Sequence, residues 1–114
     1  MTHSDEESTM HISIPIDQKQ IHEFCSRWQI TSFALFGSVL RNDFRPDSDI
    51  DVLVTFAPDA HITLFQLPRI ARELGEIFGR KVDLVDRLWI EQSHNPLRRE
   101  DILTTAQEIY RAAA

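Results

Sequence analysis

The 114-residue chain has a single cysteine, Cys25, so it can form neither an internal disulfide framework nor a cysteine-based zinc cluster. That usage suits a reducing compartment, with the lone thiol serving as core filler. No apolar stretch approaches the roughly 18 residues a membrane span requires, and Met1 to Met10 is polar and acidic rather than signal-like. A cytoplasmic location is the expectation. Positive charge is short: 12 lysines and arginines face 18 acids, for a formal net charge of −6. Such a field repels long polyanions, so direct nucleic-acid binding is not expected. A nucleotide is the exception, because a divalent ion held by carboxylates brings a triphosphate to an acidic surface. The five histidines, His3, His11, His22, His61 and His94, show no metal-ligand spacing and read as surface residues. There is no internal repeat. The length suits one compact domain and leaves no room for a second, so any further substrate-binding domain must come from another chain.

What is present orders itself along the chain. The first residues, with few apolar side chains, cannot repay the entropy of ordering, and 1–12 is expected to be a frayed tail before a domain over 13–114. From Asp17, a capping residue, Ile21, Phe24, Cys25 and Trp28 recur at helical spacing. Thr31 to Phe36 is β-branched and aromatic and stops at Gly37, a strand entering a tight turn, after which Ser38 can open a short helix through Asn42. Asp49 to Phe56 is a strand covered on both faces for most of its length. Leu64, Leu67, Ala71, Leu74, Ile77 and Phe78 mark a helix closed by Gly79, with Pro68 blurring its start. Lys81 to Asp86 is a third strand. Asn95 and Pro96 start a last helix carrying Ile102, Ala106, Ile109 and Tyr110; Thr104 and Thr105 weaken its end, which could instead be a short edge strand.

Side chains two apart on a strand project from the same face about 6.6 to 7 Å apart, so Asp49 and Asp51 point one way while Ile50, Val52 and Val54 point the other. Asp83 stands among Val82, Leu84 and Val85, a third acid inside an apolar strand. If the two strands are neighbours, three carboxylates converge. Like charges about 4 Å apart repel by roughly 4 kcal/mol at an effective dielectric near 20, a penalty that one or two divalent cations remove. Oxygen-only ligands favour magnesium or manganese over zinc. Taken alone, the same acids also read as a turn cap, a solvated strand end and an edge-strand surface residue.

They do not stand alone. Gly37 and Ser38 follow a hydrophobic strand and open a helix, placing backbone N–H groups and a hydroxyl where a phosphate can bind. Arg41, one turn on, can touch phosphate or brace the acidic loop. Gly-Ser by itself is an ordinary turn; its weight comes from the order strand, Gly-Ser, Arg, loop, then Asp-x-Asp on a second strand.

In this combination, Phe36-Gly37-Ser38-Val39-Leu40-Arg41, Asp47-Ser48-Asp49-Ile50-Asp51 and Val82-Asp83-Leu84-Val85 closely resemble the minimal nucleotidyltransferase family of the polymerase-beta-like superfamily. The resemblance runs from about Phe33 to Tyr110. It implies an α+β fold, a small mixed sheet flanked by helices. It also implies a Gly-Ser turn that holds the triphosphate, with Gly37, Ser38 and Arg41 as nucleotide-binding residues. Asp49, Asp51 and Asp83 are then the catalytic and metal-binding acids, with Mg²⁺ as cofactor and ATP as substrate. The family often has a small residue before the arginine and a glycine after it, where this chain has Leu40 and Asn42. Short members of this kind are similar to the antitoxins of HEPN/MNT toxin–antitoxin pairs, which adenylylate a tyrosine of a partner ribonuclease. The implied partner is a HEPN-type toxin in a hetero-oligomer.

Alternatives from other classes are an antitoxin that neutralises by binding alone, and a small-molecule transferase completed by a second chain. Arg87 and His94 imitate the Arg-to-His spacing of the HEPN ribonuclease motif, but they fall between a strand exit and a helix start rather than on a helical bundle. Trp28 and Trp89 read as core or interface anchors. Tyr110 reads as a packed or partner-facing residue rather than an AMP acceptor.

Overall fold

The computed structural model describes residues 12, 14–41 and 44–113. The expected tail therefore lies outside the described residues except for Ile12, which packs with Ile14 and Ile16 against the core. Asn42 lies outside them too.

Helix α1, Gln18–Trp28, begins as its sequence requires: the Asp17 carboxylate accepts hydrogen bonds from the Lys19 and Gln20 backbone N–H groups at 3.1 and 3.2 Å. It buries Ile21, Phe24 and Cys25 and ends at Gln29 in the left-handed region, φ 58°. Strand β1, Ile30–Phe36, pairs antiparallel with β2, Ile50–Phe56. Helix α2, Leu67–Phe78, closes on left-handed Gly79 at φ 69° and returns the chain to β3, Val82–Asp86, which pairs parallel with β2. Then come α3, Arg87–Glu91, α4, Pro96–Thr105, and β4, Gln107–Arg111, antiparallel to β1. The sheet is mixed, in the order β3-β2-β1-β4.

Pleat parity sorts the side chains into two cores. Phe33 and Leu35 of β1, with Ile50, Val52 and Val54 of β2, face α1 and α2 and build the larger cluster with Phe24, Ile70 and Leu74. Ala34, Phe36 and Leu53 face the other way and meet Ile90 of α3 and Ile102 of α4 in a smaller one. Asp51 and Asp83 share this second face, since Phe36 pairs with Asp51 and Asp51 with Asp83.

Four local differences from the sequence expectations have physical causes. The helix expected from Leu64 begins at Leu67, because Thr63 to Gln66 forms a turn closed by Thr63 N–H donating to Gln66 Oε1 at 2.9 Å. Leu64 and Phe65 are left 60% and 93% exposed. The short helix expected after Ser38 is a single 3₁₀ turn, Gly37–Leu40, and Arg41 is already extended. The last helix stops at Thr105: the Thr104 and Thr105 hydroxyls bond back to the Glu100 and Asp101 carbonyls at 2.7 and 2.6 Å, and the edge-strand alternative takes over from Gln107. Ile109 and Tyr110 thus reach the larger core from a strand. Finally, α3 went unanticipated; Asp86 ends β3 and caps it, accepting from Leu88 N–H at 3.0 Å.

Cys25 is fully buried, and desolvation pushes its thiol up to about 12, in keeping with core filler. Tyr110 packs edge-on to His22. β4 is pinned by buried Ser32, whose hydroxyl donates to Glu108 Oε1 at 2.6 Å while Arg111 also binds that carboxylate. Burial pushes the Glu108 carboxyl up, but the Ser32 and Arg111 bonds outweigh it and hold it below the usual range. No helix among the described residues is long and apolar enough to cross a membrane.

Candidate active site

Gly37 takes φ 78° where β1 ends, the left-handed conformation open to glycine. Space imposes the same choice: a Cβ there would lie 2.1 Å from Asp51 Oδ2. The turn and the middle acid are thus pressed together, backbone against carboxylate. Ser38 belongs to this turn, and its carbonyl accepts the Arg41 backbone N–H at 2.9 Å.

Asp49 lies at the entry to β2 and is exposed, Asp51 is half-buried inside the strand, and Asp83 is exposed on β3 directly in register with Asp51. Parallel pairing in that register sends both side chains to one face, and Asp49, two residues before Asp51, shares it. Burial raises the Asp51 carboxyl above its ordinary 3.8, and the charges of Asp83 and then Asp49 raise it further, against pulls from Arg41 and Arg98. The acids do not close into a cage: among the described residues no three His, Cys, Asp or Glu side chains are gathered tightly enough to hold a metal by themselves.

Oxygen donors and mutual repulsion nonetheless suit a hard divalent cation. Magnesium is held by one or two carboxylates together with substrate phosphates rather than by an all-protein cage.

The loop leading to Asp49 is braced by a residue the sequence reading did not single out. Arg80 Nη1 donates to the carbonyls of Arg45 and Ser48 at 2.9 and 3.2 Å, and its guanidinium lies 4.4 Å from the centre of the Phe44 ring. Arg41, which can touch phosphate or brace that loop, lines a cleft of about 630 Å³ beside Gly37. Across this cleft stands Arg98 of α4, also unforeseen, because nothing in the linear pattern ties α4 to the acids. Asp49, Asp51 and Asp83 are not among the residues lining this cleft, which opens alongside them at the turn. Arg87 is paired with Glu91 at 3.2 Å. Trp28 packs on the larger core with its indole N–H on Glu73 at 3.1 Å, whereas Trp89 is 59% exposed.

Comparison with known proteins agrees with this geometry. A family model described as a nucleotidyltransferase domain matches residues 18–109. A Methanocaldococcus jannaschii protein bearing the name of a protein adenylyltransferase is 36% identical over 76 residues, 67% of this chain and 75% of that one. A solved structure described as a minimal nucleotidyltransferase superposes with a TM-score of 0.60 at 31% identity, over 78% of this chain and 85% of the other. The complex of a tri-AMPylated Shewanella oneidensis HEPN toxin with an MNT antitoxin shares the fold, with a TM-score of 0.58 and 21% identity over 83% of this chain and 70% of that chain. With its four-stranded mixed sheet, its glycine turn set against an acid and the match over residues 18–109, the chain belongs to the nucleotidyltransferase domain family.

Proposed function

We propose that this nucleotidyltransferase transfers AMP from ATP to a hydroxyl of a partner protein, a tyrosine of a HEPN-type toxin, and thereby acts as its antitoxin. The observation that carries this is the register of Asp51 with Asp83, with Gly37 packed against the Asp51 carboxylate. Phosphate-binding backbone and acids thus meet at one end of the sheet. The protein-acceptor class is supported by the name of the M. jannaschii relative and by the AMPylated toxin bound to the Shewanella antitoxin.

In this mechanism Gly37 and Ser38 seat the triphosphate through backbone N–H groups and the Ser38 hydroxyl, and Arg41 adds a charge-assisted contact. Asp49 and Asp51, with Asp83 beside them, would hold Mg²⁺, which would supply neutralisation of phosphate charge and activation of the attacking oxygen. Asp83, the more exposed of the in-register pair, orients the acceptor hydroxyl and takes its proton as the new O–P bond forms at the α-phosphorus. The bond from the α-phosphorus to the bridging oxygen breaks, and pyrophosphate departs. The acceptor hydroxyl would reach the acids from a protein surface docked beside them.

Neutralisation by binding alone is favoured by a separate observation: Leu88, Trp89 and Leu97, on α3 and α4, are 57%, 59% and 82% exposed. One experiment divides the two. The chain is incubated with a HEPN-type partner, Mg²⁺ and α-labelled ATP, and the partner is weighed by mass spectrometry while growth rescue is scored in cells. Wild type is expected to add one or more AMP units, and Asp49→Ala with Asp51→Ala to add none and to lose rescue. Rescue retained by the double variant without label transfer would overturn the enzymatic account.

A further inference from the structure

The cleft beside Gly37 has two walls of different origin. One is the 3₁₀ turn with Leu40 and Arg41; the other is α4, with Arg98, Asp101 and Ile102. Ile102 is only 4% exposed and packs with Phe36 in the smaller core, which fixes α4 against the end of β1. Arg98 precedes Ile102 by four residues, so the two share one side of the helix. The helix start is held as well, since Asn95 Oδ1 accepts the Arg98 backbone N–H at 3.2 Å. The neighbouring Arg99 is committed elsewhere, its Nη1 donating to the Ser93 carbonyl at 3.0 Å. Among the described residues the Arg98 guanidinium takes part in no ion pair, and it faces the acidic end of the sheet across from a turn suited to anions. Its charge already acts on Asp51, pulling that carboxyl down, and a polyanion seated on the turn would offer it a further complement across the cleft that both line.

We infer that Arg98 is a ligand of the donor nucleotide's β- and γ-phosphates, gripping from α4 the anion that the Gly37–Ser38 turn holds from β1. This rests on the nucleotidyltransferase activity proposed above and adds a contact outside the Gly-Ser and Asp-x-Asp segments. A guanidinium matches phosphate oxygens bidentately, which a lysine ammonium cannot reproduce. As the bond from the α-phosphorus to the bridging oxygen breaks, the electron pair passes to the pyrophosphate, and Arg98 stabilises the charge that accumulates there. It therefore contributes to kcat as well as to ATP affinity.

The test is calorimetric titration of the full chain with Mg-ATP, with Mg-tripolyphosphate and with adenosine, together with steady-state transfer kinetics on a partner. Arg98→Gln is expected to weaken ATP and tripolyphosphate by about tenfold, leave adenosine unchanged, raise KM for ATP and lower kcat. Arg98→Lys should recover only part of the affinity. Arg69→Gln, which removes the same charge from α2 on the opposite face, should behave as wild type. Arg98→Gln binding tripolyphosphate and ATP as tightly as wild type would overturn the assignment while leaving the activity standing. Failure of the wild-type chain to bind Mg-ATP at all would remove both.

Discussion

Asp51 carries the largest electrostatic tension at the site, and its sign can be worked out. The folded protein raises the carboxyl above 3.8 through burial and through the charges of Asp83 and Asp49. Between that ordinary value and the raised one, the folded state binds more protons than the unfolded chain, so stability falls as pH rises through the window. Above it the ionised acid is a standing cost. Asp51→Asn in chelator-treated protein at neutral pH is therefore expected to raise the thermal midpoint by about 2 °C while abolishing transfer. Added Mg²⁺ should stabilise wild type and not the variant. A lower midpoint for the variant in chelator would show that the carboxylate is stabilising and the tension absent. Gly37 is the complementary case. Gly37→Ala combines a left-handed φ with a Cβ 2.1 Å from the Asp51 carboxylate, and is expected to cost about 1 to 3 kcal/mol in urea unfolding and to lose nearly all transfer. A variant as active and as stable as wild type would mean that the turn does not rest on Asp51.

Among the elements, the loop from Phe44 to Asp49 depends on a residue from the α2–β3 connection. Arg80 holds two of its carbonyls and stacks on Phe44, so β2 receives Asp49 in a set position although the loop has no regular structure. Arg80→Ala is expected to lower kcat about tenfold with little change in the midpoint, since exposed contacts contribute modestly to stability while misplacing a reacting group is costly. Equal losses in rate and stability would instead assign Arg80 a general structural role. The stop of α4 at Thr105 is local in another way: the Thr104 and Thr105 hydroxyls bond to nearby backbone and end the helix earlier than apolar spacing alone predicts.

At the scale of the whole molecule, one sheet separates two tasks. Its larger core, with Phe24, Phe33 and Leu35 wholly buried, holds the fold; its smaller one positions α3 and α4 beside the acids. Phe24→Ala is expected to cost about 3 to 5 kcal/mol in denaturant unfolding, a large share of the stability of a domain this size; a loss below about 1 kcal/mol would mean that the site relaxes around the cavity. Much of this plan was legible in the amino-acid order. Apolar periodicity marked α1, β1, β2 and β3, Asp17 and Asn95 announced helix starts, and strand parity assigned Asp49 and Asp51 a common face, because these features depend on neighbours in the chain. Strand pairing does not. Only the tertiary structure decided that β3 lies parallel to β2 with Asp83 opposite Asp51, that β4 leaves α4 to close the far edge, and that Arg80 and Arg98 reach the site. Those contacts join residues remote in sequence, and their geometry comes from sheet register and helix packing rather than from any local pattern.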